Sequence, residues 1–300
     1  MYLYHFGLQE LPFTLTPNTN FFLGLSPHHE ALAVLMTALK TGEGFIKVVG
    51  EVGTGKTLLC RKLLNEIPEH FVTAYIPNPY LNPNELRRAV AVELGVKQAQ
   101  RMSVQLLTQR IQDRLLDLHK KGHSVVLILD EAQALPEESL EALRLFTNLE
   151  TETRKLLQVV LFAQPELDQR LAQNDFRQLR QRITFSYQLR AMNAAEVQHY
   201  IQHRMKVAGY KGAELFPKEV CKKMTKVSQG IPRIVNILCH KMLMLAYGQG
   251  QYQMTQKHLQ AAIKDTEGVD NNTMSLKLTL TVLIVVASVA YIIYQAGISS

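Results

Sequence analysis

The run GEVGTGKT sets Gly50, Gly53, Gly55, Lys56 and Thr57 at the spacing that binding a phosphate chain requires. Glycines let consecutive backbone N–H groups turn inward around an anion, and a helix starting just after them adds the partial positive charge of its N-terminus. Lys56 supplies a full charge to the β and γ oxygens of a nucleoside triphosphate, and the Thr57 hydroxyl suits Mg²⁺. The stretch Gly50, Glu51, Val52, Gly53, Thr54, Gly55, Lys56, Thr57, Leu58 is therefore the expected ATP contact. Farther along, HSVVLILDEAQALP ends an apolar run in two acids. Asp130 is suited to hold the Mg²⁺ shell through water and Glu131 to polarise an attacking water, so the pair points to hydrolysis beyond binding.

Those groups act together only if strand, loop and helix arrive in order. Residues 45–49 are a short β-rich apolar run, and 58–64 continue at helical spacing until Pro68 breaks the pattern. Residues 125–129 are apolar without alternation, as in a strand buried on both faces of a parallel sheet. FVTAYI, LLQVVLFAQ and FSYQL read as further strands, with helices near 84–94, 103–119 and 136–149. Strands alternating with helices predict an α/β fold, a P-loop domain with a five-stranded parallel sheet over residues 28–190.

From Asn193 onward only helical patterns remain, over 194–207, 217–228, 232–247 and 255–266, with Asn193 as a cap and Pro217 in a first turn. Residues 191–266 are thus expected to form an all-helical lid domain. Residues 1–27, with the aromatics and prolines of FGLQELPF and PNTNFF, read as a segment laid over the sheet domain near the adenine. TEGVDNNTMS is rich in turn residues, and 267–277 reads as a tether.

Residues 278–298 have the length and apolar character of a single transmembrane helix, since roughly 20 apolar residues match the hydrocarbon core of a bilayer. Their position excludes a cleavable signal peptide. Lys277 borders the stretch and no Lys or Arg follows it, which by the positive-inside tendency keeps the large N-terminal part in the cytoplasm. Three cysteines, Cys60, Cys221 and Cys239, form no disulfide framework, in keeping with a reducing compartment. The net charge of +7 suits anionic lipid or nucleic acid equally.

Taken together, FGLQELPF, GEVGTGKT, LDEAQ, AQPEL, QLRQRI and GIPRIVNILC resemble the AAA+ ATPases of the general secretion pathway protein A (ExeA-like) group, and within it those of the MSHA type IV pilus systems. The resemblance runs from residue 1 to about 266. It implies an ATP hydrolase using ATP and Mg²⁺, a homo-oligomer, and an inner-membrane protein that works with pilus or secretion assembly proteins. It also implies roles for three residues outside the P-loop. Gln164 matches a polar sensor near the γ-phosphate, and Arg233 in GIPR matches a second sensor that reaches back from the lid. Arg182 matches the arginine finger offered to a neighbouring subunit, with Arg177 and Arg180 as competing candidates. Relatives of the secretion type extend past the span into a peptidoglycan-binding part, whereas only a few residues follow it here, so a partner is expected to make any cell-wall contact.

Other features carry less. His199 and His203 lie four apart on a predicted helix, but HYIQH lacks the adjacent Glu of a metalloprotease and a third ligand. His28 and His29 precede the helix before the P-loop strand, where packing or a nucleotide-edge contact is expected. No nucleophile triad is legible in the spacing. A nucleic-acid-dependent AAA+ ATPase of the transposition or replication-initiation kind is the disfavoured alternative, because no DNA-binding module is recognisable. A scaffold that binds ATP with little turnover is the third reading.

Overall fold

The computed structural model describes residues 2–151 and 154–266; the tether at 267–277 and the apolar stretch at 278–298 lie outside the described residues. Among the described residues no helix is long and apolar enough to cross a membrane. The chain runs α1 (Tyr2–Phe6), α2 (Ser26–Thr41), β1 (Phe45–Gly50), α3 (Lys56–Glu66), β2 (Phe71–Ile76), α4 (Pro83–Glu93), α5 (Val104–Lys120), β3 (Ser124–Leu129) and α6 (Glu137–Phe146). It continues through β4 (Leu157–Ala163), α7 (Pro165–Leu171), α8 (Arg177–Arg182), β5 (Ile183–Leu189), α9 (Ala194–Val207), α10 (Lys218–Ser228), α11 (Pro232–Gly248) and α12 (Gln256–Lys264).

The five strands form one parallel sheet in the order β2-β3-β4-β1-β5. Every residue of β4 is buried, and β3 is buried from Val125 onward, which explains why neither shows a polar–apolar alternation. The polar exception in β4, Gln158, is satisfied: its amide donates to the carbonyls of Leu39 and Glu43 at the end of α2. Helices α4 to α8 cover one face of the sheet, and α2 and α3 cover the other.

All five expected strands are present, with β5 starting at Ile183, two residues before the expected FSYQL. Two helices are shorter than expected. α6 stops at Phe146, before a bridge between Glu150 and Lys155, and α12 covers Gln256–Lys264. Asn193 caps α9 in a capping box with Glu196, as its type suggests. Pro217 instead occupies the N-cap position of α10, its extended backbone leaving Lys218 as the first helical residue.

The N-terminal segment corrects an expectation. Tyr2, Phe6, Leu8, Phe13 and Phe21 are buried in the core of the helical domain, with Val197, Leu238 and Leu243, and do not lie over the sheet. These aromatics pack instead with side chains of the helical domain, Phe13 edge-on to Phe216 at 6.0 Å between ring centres. Arg204 of α9 fixes the return path: its Nε donates to the Pro12 carbonyl at 2.5 Å, and its guanidinium sits 4.7 Å from the Phe21 ring centre.

Candidate nucleotide-binding and hydrolysis site

The parallel order brings the C-terminal ends of β1, β4 and β3 side by side. Ligands bind in the crevice outside such ends. At the end of β1 the loop turns through Gly53 (φ 83°) and Gly55 (φ 99°), both left-handed, and Gly55 caps α3. Lys56 opens α3, is buried, and donates from Nζ to the carbonyls of Gly50 (2.8 Å) and Glu51 (3.0 Å). Burial pulls its ammonium below the usual lysine range, while Glu131, Asp130 and Glu51 hold it up. Thr54 closes the turn with a hydroxyl bond to the Glu51 carbonyl at 2.8 Å.

His28, from the first turn of α2, backs this loop. Its Nε2 lies 3.2 Å from the Thr54 carbonyl, and a Cβ added at Gly55 would meet that nitrogen at 3.1 Å. Of the two readings left open for His28, the packing role is the one its contacts express.

Asp130 and Glu131 follow β3. Burial pushes the Asp130 carboxyl up, and the Thr57 hydroxyl beside it draws it back. Thr57 and Asp130 form the hard-oxygen pair that suits Mg²⁺, which takes few protein ligands and completes its shell with phosphate oxygens and water. Among the described residues no group of three or more His, Cys, Asp and Glu could hold a metal.

Glu131 has φ 55°, an unusual conformation for a residue with a side chain. Its carboxylate is fixed on one oxygen. Oε2 accepts from the Gln164 amide at 2.9 Å and from the Gln133 amide at 2.5 Å, and the Gln164 backbone N–H donates to Gln133 Oε1 at 3.0 Å. Gln164 thus stands at the end of β4 as expected, and its long side chain is spent on Glu131. Gln133 was missed. Its only sequence signal is the amide two residues after Glu131 in DEAQ.

The helical domain closes the other side. Arg233 opens α11 against the P-loop, its backbone N–H 3.3 Å from the Gly53 carbonyl, and a Cβ at Gly53 would fall 2.5 Å from that of Arg233. Between them lies a cleft of about 200 Å³ that Lys56, Thr57, Glu131, Arg204, Arg233 and residues 14–18 help to line. Tyr200 and Asn236 also reach it: the Tyr200 hydroxyl donates to Asn236 Oδ1 at 3.0 Å and accepts from Arg204 at 3.1 Å. These three were not legible, because α9 and α11 meet only in the fold. Residues 14–18 do reach the cleft, although the segment's anchor is elsewhere.

Arg182 lies at the opposite end of the sheet. Ile183 pairs with Phe45, the first residue of β1, so the six-residue length of that strand, about 20 Å, separates Arg182 from its own P-loop. Its guanidinium is 3.4 Å from Thr147 Oγ1. Arg180 donates to the Ala172 carbonyl at 3.3 Å, and Arg177 is exposed.

Residues 39–171, which hold the P-loop, Asp130, Glu131 and Gln164, match the AAA domain family. The matched segment is an AAA domain. It is 40% identical over 269 residues to General secretion pathway protein A of Aeromonas hydrophila, a match covering 90% of this chain and 49% of that protein. The chain thus spans about half the length of this curated relative. Solved structures share the fold at low identity. The Aeropyrum pernix ORC2 protein, in ADPNP and ADP complexes, aligns with a TM-score of 0.60 at 16% identity, covering 85% of this chain and 70% of that one. Cdc6p from Pyrobaculum aerophilum aligns at 0.63 and 16%, covering 86% and 74%.

Proposed function

We propose that this AAA protein binds ATP with Mg²⁺ and hydrolyses it as an oligomer anchored in the bacterial inner membrane, supporting assembly of a type IV pilus or type II secretion-like machine. The observation that carries the hydrolytic part is the meeting of Lys56 and a fixed Glu131 at one cleft under Arg233. Lys56 would exchange its carbonyl partners for β and γ oxygens. Glu131, with Oε2 already engaged by two amides, would take the proton of the attacking water on Oε1. Thr57 and Asp130 would hold the Mg²⁺, which supplies neutralisation of phosphate charge. Arg233 would couple closure of the helical domain to the nucleotide, and Arg182 would act on the site of a neighbouring subunit. Similarity to General secretion pathway protein A supports the setting, and the apolar sequence at 278–298 supports the anchor.

The test is a pair of variants in the full chain. Lys56→Ala is expected to abolish ATP binding, and Glu131→Gln to keep binding while blocking turnover. Full turnover by Glu131→Gln would remove the base assignment. The same assay with added DNA checks the nucleic-acid reading, since strong stimulation would move the function to that class. Membrane fractionation of the chain with and without residues 276–300 checks the anchor.

A further inference from the structure

The excess positive charge of this chain is confined to one domain. Residues 191–266 hold eleven Lys and Arg against four Asp and Glu, and the remainder of the chain is balanced at twenty-two of each. Within that domain α10 buries Val220, Cys221, Met224 and Ser228 and turns Lys218, Lys222 and Lys226 to solvent. These three are spaced i, i+4, i+8 and so share one face of the helix. None of them is in an ion pair among the described residues. Glu219 is the one acid of α10. The neighbouring α12 packs on α10 and adds exposed Lys257 and Lys264, while Asp265 is taken by Lys241. Like charges stacked along a helix cost stability, so the stripe is unfavourable until something anionic meets it.

We propose that this basic face of the helical domain lies on the anionic lipid headgroups of the membrane that anchors the chain. The inference rests on the membrane-span reading of 278–298. It adds which surface faces the bilayer. α12 ends at Lys264, and residues 267–277 cannot carry the domain farther than about 40 Å from the membrane even when fully extended. That limit lets the lysines meet the leaflet, where each one near the surface contributes about fivefold to the partition. The catalytic cleft is built from other residues of the domain, on α9 and the start of α11, so the contact orients the ATPase without covering those groups.

The test uses the full chain mixed with vesicles of phosphatidylcholine alone or with added phosphatidylglycerol. Flotation is read together with acylation of individual lysines by mass spectrometry. The expected result is flotation with both vesicles, with labelling of Lys218, Lys222 and Lys226 falling about fivefold only on the anionic ones and recovering in high salt. Exposed Lys40, on the sheet domain, is the internal control. A triple Lys→Gln variant should float as the parent does and show no lipid dependence of its remaining labels. Flotation with both vesicles but equal labelling would overturn the proposal and leave the span intact. Salt-sensitive flotation with anionic vesicles alone would refute the span and keep the basic face. Flotation with neither vesicle would remove both. Protection of the three lysines by duplex DNA, with none by lipid, would assign the face to nucleic acid instead.

Discussion

The Gln164 side-chain amide donates to the Glu131 carboxylate at 2.9 Å, so the residue that follows β4 fixes the acid that follows β3. Gln133 completes the arrangement by donating to the same oxygen and accepting from the Gln164 backbone. On the proposed role of Glu131, losing either amide frees the carboxylate to swing. Misplacement by about 1 Å can cost a hundredfold in rate. Gln164→Ala and Gln133→Ala are each expected to lower kcat by about tenfold to a hundredfold with KM nearly unchanged. The double variant should fall well short of the product, because both act through one carboxylate. Equal changes in KM and kcat would show that the pair shapes the loop and not the acid.

Gly53 ties the P-loop to the helical domain by the closeness of its backbone to Arg233. A side chain there must adopt φ 83° and push against Arg233 Cβ at 2.5 Å. Gly53→Ala should therefore weaken nucleotide binding at least about tenfold, whereas Arg233→Ala should spare binding more than turnover. Equilibrium binding of a fluorescent ATP analogue, set beside steady-state hydrolysis, separates the two. Unaltered affinity in Gly53→Ala would mean that the contact yields when nucleotide enters.

His28 gives the P-loop a pH dependence. Burial draws its imidazolium below the ordinary value of 6.5, against a smaller opposing pull from the Thr54 carbonyl. The folded protein then binds fewer protons than the unfolded chain once pH falls beneath that value, so stability is full above it and declines as pH drops toward the folded value. Between about pH 8 and about pH 5.5 the parent should lose more stability than His28→Asn does, measured as the denaturant midpoint at each pH. Parallel losses in the two proteins would place the titration elsewhere.

Much of this site was legible because its signals are local. Strand, glycine loop and helix follow one another at Phe45–Glu66, and the acids close an apolar strand, so position along the chain and position in the sheet coincide. The same is true of Asn193, whose cap is made with a residue three positions on. What escaped was built by long-range packing. Arg204 reaches Pro12, Asn236 reaches Thr14 at 3.4 Å, and Tyr200 reaches Asn236, across intervals that carry no periodicity. The N-terminal aromatics show the same limit: hydrophobicity demands burial but does not name the surface, and that choice fell to the helical domain.

Arg182 precedes β5 at the end of the sheet away from its own P-loop, so any action on phosphate must occur in a neighbouring subunit. That separation makes a mixing experiment decisive. On the roles proposed for them, Arg182→Ala and Glu131→Gln should each be nearly inactive as pure oligomers, the first lacking every finger and the second every base. Mixed oligomers contain some interfaces where an intact Glu131 faces an intact Arg182, and activity should return there, toward roughly a quarter of the parent for random dimeric contacts. Arg182→Lys should not substitute, since a point charge cannot reproduce the planar fork of the guanidinium. Absence of recovery in co-assembled mixtures would assign Arg182 to its Thr147 contact alone and transfer the search to Arg177 and Arg180.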